Sequence, residues 1–224
     1  MGSVGVGRVK VAWAATSPGT IGTGSTGITG ITGARLSDGD LERAAGFGPD
    51  RRRAFVLGRS LIAGLVGELV PNASGWSVGT GSCRRCGARH GPVEITGVPV
   101  VASVSYAPGL VVVAAAPGQS SRVGIDVELE RVNATRTRDL ERLLGPSGEP
   151  VLRRWTRIEA LLKADGRGLL VDPGDVRLRS GGGRIAGDPG RYRVVDVAGP
   201  TGYLISLAWC DAESSAAASG RATG

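Results

Sequence analysis

Three acidic residues stand at alternate positions in the stretch VGIDVELE, residues 123–130: Asp126, Glu128 and Glu130. Side chains alternate across a β-strand, so a strand here puts these carboxylates on one face and Ile125, Val127 and Leu129 on the other. Neighbouring carboxylates repel unless something positive lies opposite. A solvated edge strand avoids the repulsion, and acidic alternation by itself favours that reading. A hard-cation site also avoids it, because Mg²⁺ takes oxygen ligands, commonly one or two carboxylates with substrate phosphates and water. Further along, RWTRIEALLKADGRGL (154–169) has the spacing of an amphipathic helix. Val151, Trp155, Ile158 and Leu162 mark its apolar stripe, Glu159 borders the stripe and Lys163 follows at i+4. Glu159 could pair with Lys163, a contact worth about 0.2–0.5 kcal/mol. It could close a capping box Thr156-x-x-Glu159 if the helix starts late. It could also bring a third carboxylate to an ion, with Lys163 facing a phosphate. The helix by itself leaves these open.

The elements that must position these groups can be read from periodicity. Residues 8–15 (RVKVAWAA) read as a strand, and Gly/Thr/Ser-rich 16–34 as a flexible insert. Ser37 sits at a plausible helix start. The longest helical pattern spans 50–70, with Phe55, Leu57, Leu61, Ile62, Leu65, Val66 and Leu69 near helical spacing and Pro71 just beyond. Residues 81–92 (GSCRRCGARHGP) form a polar loop. Residues 98–106 and 109–116 read as strands joined by a tight turn at Ala107–Pro108, and 123–130 as a third strand. Helices follow at 136–144 and 149–165, with closing strands at 175–180, 190–198 and 202–210. The Ala/Ser-rich tail 211–224 reads as disordered. The order implies an α+β fold of two similar halves, 1–118 and 119–210, each a small, mainly antiparallel sheet packed with a long helix.

Composition bounds the function. With 224 residues, 41% of them hydrophobic, the chain can bury a sizeable core. A net charge of +7, mostly from arginine, favours acidic or phosphorylated partners. Aromatics for base stacking are scarce at 4% and no known nucleic-acid module appears, so nucleic acid ranks low. No apolar run approaches a membrane span of about 18 residues. The N-terminus lacks the basic-then-apolar order of a signal peptide. Three cysteines, Cys83, Cys86 and Cys210, argue against a disulfide framework. The expectation is a soluble protein of the cytoplasm. Cys83, Cys86 and His90 have part of a zinc-site spacing, but no fourth ligand stands nearby, and a loop near a nucleotide is the favoured reading. Cys210 reads as a buried small hydrophobe.

A GIDVE strand followed by W-x-x-x-E-A-x-x-K and then G-x-G-L resembles the two signature motifs of the 4′-phosphopantetheinyl transferases. DRRRAFVLGRSLIAGLVG resembles that family's first long helix, CRRCGARHGP the segment before its SVSH strand, and SVSYAPGLVVVAAA that strand and its partner. The likeness runs in order over most of residues 8–210, and it points to the larger, monomeric surfactin-type branch. The resemblance implies a pseudo-twofold fold with the active site between the halves. It implies transfer of the phosphopantetheine arm of coenzyme A to a serine of an acyl or peptidyl carrier protein, releasing adenosine 3′,5′-bisphosphate. Mg²⁺, or Mn²⁺ in its place, would sit on Asp126, Glu128 and Glu159. Glu159 would accept the serine proton and Lys163 would hold a phosphate. Arg53, Ser105 and Tyr106 would contact coenzyme A. Glu130 has no assigned role.

Four positions depart from the family pattern. Ile158 stands where a lysine usually precedes the glutamate, and Tyr106 replaces the histidine that ends the SVSH strand. No basic residue separates Gly91 from Pro92, and Ala54 occupies an expected arginine position, with Arg53 beside it. The segment 131–149 is also short. The alternative is a weakened or repurposed homologue that binds a carrier protein or a coenzyme A-like ligand without efficient transfer. The arginines Arg51, Arg52, Arg53 and Arg59 read either as a solvated basic face or as contacts to a phosphate or an acidic carrier.

Overall fold

A computed structural model describes residues 1–16, 36–118 and 121–210. The insert expected at 16–34, beyond its first residue, and the tail expected at 211–224 lie outside the described residues. The fold is α+β, and every ladder between its strands is antiparallel. The chain divides into two compact units, Met1–Gln119 and Ser120–Gly224.

The first unit begins with β1 (Gly2–Val6) and β2 (Val9–Ala15), followed by helices α1 (Asp38–Ala45) and α2 (Pro49–Leu69). Then come β3 (Ser77–Thr80), β4 (Val93–Thr96), β5 (Val100–Ala107) and β6 (Leu110–Pro117). A four-stranded sheet runs β1-β2-β6-β5, and β3 and β4 form a separate ribbon. Ser37 caps α1 by accepting the Asp40 N–H, and Pro49 starts α2 where a missing N–H is harmless. Leu61, Ile62, Leu65 and Val66 of α2 pack against Ala12, Val111, Val113 and Ala115 of the sheet. Buried this fully, a Leu or Ile side chain contributes roughly 1.5–3 kcal/mol.

The second unit holds β7 (Arg122–Leu129), α3 (Ala134–Leu144), α4 (Val151–Asp165), β8 (Val176–Arg179), β9 (Gly182–Ile185), β10 (Arg191–Asp196) and β11 (Tyr203–Cys210). Its five-stranded sheet runs β7-β11-β10-β9-β8. The helix α4 packs on β7, β11 and β10, with α3 against it. Leu152, Trp155, Ile158, Leu161 and Leu162 of α4 fill this core together with Leu140, Leu144, Val194 and Ala208. The helix ends where Gly166 turns left-handed (φ 84°) and returns its N–H to Leu162 and Lys163. Asp165, the last residue of α4, accepts three bonds from Arg167, from Nε at 2.6 Å, Nη2 at 3.0 Å and the backbone N–H at 3.4 Å, and one from Tyr192 Oη at 3.1 Å.

The structure adds β1, β3, β4 and β9 to the strands read from sequence. It also starts α4 at Val151, with Pro150 as the residue before it. Thr156 therefore lies inside the helix, where its hydroxyl donates to the Leu152 carbonyl at 2.8 Å. The capping-box reading of Thr156 and Glu159 is thereby corrected.

Candidate functional site

The strand β7 is the edge of its sheet, but not a solvated one. Asp126 is only 6% exposed, because α4 covers the face that carries Gly124, Asp126 and Glu128. Gly124 makes this possible. A Cβ there would fall on the Ala160 carbonyl oxygen and the Ala164 nitrogen, and 3.0 Å from the Lys163 carbonyl carbon. The helix backbone thus rests directly on the strand backbone, which only glycine permits.

Close packing brings two periodicities into step. Four helical residues rise about 6 Å, and two strand residues about 6.6 Å. Trp155, Glu159 and Lys163, spaced by four along α4, therefore keep pace with Glu128, Asp126 and Gly124, spaced by two along β7. The Lys163 backbone sits over Gly124, and its side chain reaches one step along the strand to Asp126. Trp155 lies beside Glu128 and pulls its carboxyl down. Lys163 Nζ donates to Asp126 Oδ1 at 2.6 Å and to the Ile125 carbonyl at 3.2 Å. Glu159 lies within electrostatic reach of Asp126, Glu128, Lys163 and Arg136. Lys163 thus bridges to the strand, which replaces the Glu159–Lys163 pair that the helical spacing alone would suggest.

The cation opposite Glu128 was not foreseen. Arg136, in the first turn of α3, donates to Glu128 Oε1. Asn133 caps α3 by accepting the Arg136 N–H at 2.9 Å, which fixes where that arginine starts. The sequence signal was an asparagine followed three residues later by an arginine at a helix start, soon after an acidic strand. Glu130, beyond the end of β7, is exposed.

The electrostatics are those of a site short of positive charge. Among the described residues three carboxylates, Asp126, Glu128 and Glu159, face two cations, Lys163 and Arg136. Burial pushes the Glu159 carboxyl above its ordinary range, and Asp126 and Glu128 add to the rise while Lys163 opposes it. Burial likewise pushes Glu128 up, against the pull of Arg136. No hydrogen bond or ion pair reaches the Glu159 carboxylate among the described residues. An all-oxygen, half-buried, net-negative donor set of this kind fits a hard divalent cation.

The other residues singled out from sequence belong to the first unit. Ser105 is buried on β5. Tyr106 exposes 42% of its surface, but its hydroxyl end lies against α2, where a Cβ at Gly58 would be 2.8 Å from Oη. Burial of that end pushes the phenol above its ordinary range, while Arg59 and Arg43 pull it down.

Those arginines form a basic, aromatic patch. The Phe47 and Phe55 rings meet edge-on at 5.5 Å, Arg43 lies over both, Arg51 over Phe47 and Arg59 over Phe55. Arg43 is a member that sequence reading missed. Arg53 is exposed on α2 and makes no ion pair or hydrogen bond among the described residues. The four arginines read as one cluster thus divide into a stacked Arg51, an Arg52 that donates to the Ala44 carbonyl at 3.0 Å, an exposed Arg53 and a buried Arg59. A fully solvated basic face is excluded by Arg59, which is only 2% exposed.

Ile158 is fully buried among Leu140, Trp155 and Leu162. Gly91 is equally constrained, since a Cβ there would meet the Ser82 carbonyl and lie 2.8 Å from the Gly81 oxygen. Among the described residues no helix is long and apolar enough to cross a membrane. In comparison with known proteins, no family model matches the chain and no curated protein matches it.

Proposed function

We propose that the chain is a Mg²⁺-dependent 4′-phosphopantetheinyl transferase acting on acyl or peptidyl carrier proteins. The observation that carries this reading is the convergence of Asp126, Glu128, Glu159 and Lys163 from one strand and one helix. These are the positions that the motif resemblance assigns to metal and phosphate contacts. Asp126, Glu128 and Glu159 would hold the ion. When bound, Mg²⁺ supplies positive charge to the pyrophosphate oxygens of coenzyme A.

The chain's own residues do the rest. A carboxyl raised by burial suits a general base, so Glu159 takes the proton of the carrier serine. The serine oxygen bonds to the β-phosphorus of coenzyme A, and the bond from that phosphorus to the bridging oxygen breaks. Adenosine 3′,5′-bisphosphate leaves with the electron pair. Lys163, held beside Asp126, neutralises a phosphate oxygen during this exchange. In the same reading the two units are the related halves of the family's pseudo-twofold fold. Ser105, Tyr106 and Arg53 of the first half then face coenzyme A, and the protein works as a cytoplasmic monomer.

Burial of Ile158 bears on the family lysine missing there. In this chain the position belongs to the core, so it supports packing rather than a phosphate contact.

Incubation with coenzyme A, Mg²⁺ and a panel of apo-carrier proteins tests the reading, with mass spectrometry of the carriers. The expected result is a phosphopantetheine adduct on one serine, lost in Glu159→Gln. No adduct on any carrier, or full activity in that variant, rejects it. A second reading is a protein that binds coenzyme A or a carrier without transfer. It is favoured by the cations already seated on Asp126 and Glu128. Calorimetric binding of coenzyme A with no adduct would select it.

A further inference from the structure

The tip of the β3–β4 ribbon brings together three soft donors that the transferase reading leaves unused. The Sγ atoms of Cys83 and Cys86 and a ring nitrogen of His90 all lie within 4.8 Å of one another. Cys86 Sγ is 3.0 Å from His90 Nε2. In a tetrahedral zinc site, with Zn–S near 2.3 Å and Zn–N near 2.0 Å, donor pairs sit roughly 3.5–3.8 Å apart. The observed spacing needs little adjustment to reach that.

The turn that holds these donors is built by its backbone. Gly81 and Gly91 close its base, Gly81 N–H donating to Pro92 and Gly91 N–H to Gly81, at 2.8 and 2.9 Å. Cys83 N–H donates to Ala88, Gly87 N–H to Cys83 and His90 N–H to Ala88, each at 2.8 Å. Gly87, directly after the second cysteine, is left-handed (φ 74°), which lets the chain double back. Arg84, Arg85 and Arg89 add positive charge around two groups that bind metal as thiolates. Both cysteines are free, and all three donors retain access to solvent.

We propose that Cys83, Cys86 and His90 form a binding site for a zinc-class divalent cation, whose fourth position is open to water or an external ligand. Two thiolates and a neutral imidazole are the donors that such an ion prefers. Each cysteine gives up its proton on binding, and the two negative charges balance the ion. The site fixes the tip of the ribbon whose Thr80 donates to Asp40 at 2.6 Å. It is independent of the carboxylate site and of transferase activity.

The test uses the full chain, reduced, stripped of metal by chelator and titrated with Co²⁺. The expected result is about one ion per chain, with a near-ultraviolet thiolate-to-cobalt charge-transfer band and tetrahedral visible bands, both removed by Zn²⁺. Cys83→Ser and Cys86→Ser should each weaken binding by at least about tenfold and reduce the charge-transfer band. His90→Ala should weaken binding but keep that band, and Cys210→Ser should change nothing. No cobalt band in the wild-type chain overturns the proposal, whatever the variants do. So does a band unchanged in either Cys83→Ser or Cys86→Ser. A Cys83–Cys86 disulfide as the only state found in the reduced, Zn²⁺-treated chain overturns it too.

Discussion

Each unit sets a cation from a long helix against an aspartate from another element, and the two pairs are built differently. In the first unit Arg59 of α2 meets Asp40 of α1 at 2.6 Å, with side-chain exposures of 3% and 1%. Thr80 completes the set, donating to the other oxygen of Asp40 at 2.6 Å and accepting from Arg59 at 2.7 Å. Both carboxylate oxygens are satisfied and a single polar nitrogen, Arg59 Nη1, is left over. In the second unit Lys163 meets Asp126 at 2.6 Å, but the lysine is 29% exposed and two more carboxylates crowd the same place. Equal distances thus conceal opposite designs. A matched, sealed pair locks three elements of a fold. A mismatched, open group stores unfavourable electrostatics that a ligand can relieve, as candidate sites tend to do.

The largest expected effects come from breaking the sealed side. Asp40→Ala leaves Arg59 charged and buried without its partner, which costs about 3–5 kcal/mol. Asp126→Ala should cost less than half as much, because Lys163 can swing its ammonium to water on a flexible stem. Urea unfolding of both variants measures the contrast, and equal losses would erase it.

A cation placed in the wrong environment gives the same contrast inside one helix. Ile158 and Glu159 are neighbours, but Ile158 is fully buried within a hydrophobic cluster whereas Glu159 is half-buried. Ile158→Lys should destabilise the second unit by about 3–5 kcal/mol and should not raise transferase activity. A well-folded Ile158→Lys chain with faster transfer would show that this position opens on the site after all.

Gly124→Ala comes next. Its methyl would strike helix backbone, which has no rotamer to yield, so α4 must lift from β7 at a cost of about 1–3 kcal/mol. The shift should also raise the concentration of Mg²⁺ needed for activity, since Glu159 and Asp126 then part. Wild-type stability together with wild-type metal dependence in Gly124→Ala would mean that the close contact positions nothing.

Sequence was a good guide to the long periodic elements and a poor one to what joins them. The helix α2 and the strand β7 announce themselves through spacing, because burial of one face dictates which positions must be apolar. The strands β1 (GSVGV), β3 (SVGT) and β9 (GGRI) are short and glycine-rich. Their extended form comes from partners across the ladder, such as Val4 opposite Val11, rather than from local preference. The same division runs through the candidate site. Spacing singled out Asp126, Glu128, Glu159 and Lys163, whereas the pairing of Lys163 with Asp126 spans 37 positions and no local rule predicts it. The role of Gly124 appears only once a helix is laid on the strand, and that of Arg136 only once α3 has a fixed start.

Glu159→Gln should have the smallest effect on stability, and its sign is the most informative. Burial raises the Glu159 carboxyl above the ordinary glutamate value of 4.5, so the folded chain binds this proton more tightly than the unfolded chain does. Metal-free wild-type protein therefore loses stability as pH rises from that ordinary value through the raised one, and the loss is complete above it. Glutamine carries no such charge. In chelator, Glu159→Gln should match the wild-type chain in acid and exceed it at neutral pH by about 0.5–1 kcal/mol, read as a higher Tm. Added Mg²⁺ should narrow the gap by stabilising the wild-type chain, because an ion that binds only the folded state raises its stability. The Asp40→Asn change in the sealed pair should show no such gain at any pH. If Glu159→Gln instead loses stability at neutral pH, the carboxylate is a satisfied structural group like Asp40, and the distinction between the two arrangements fails.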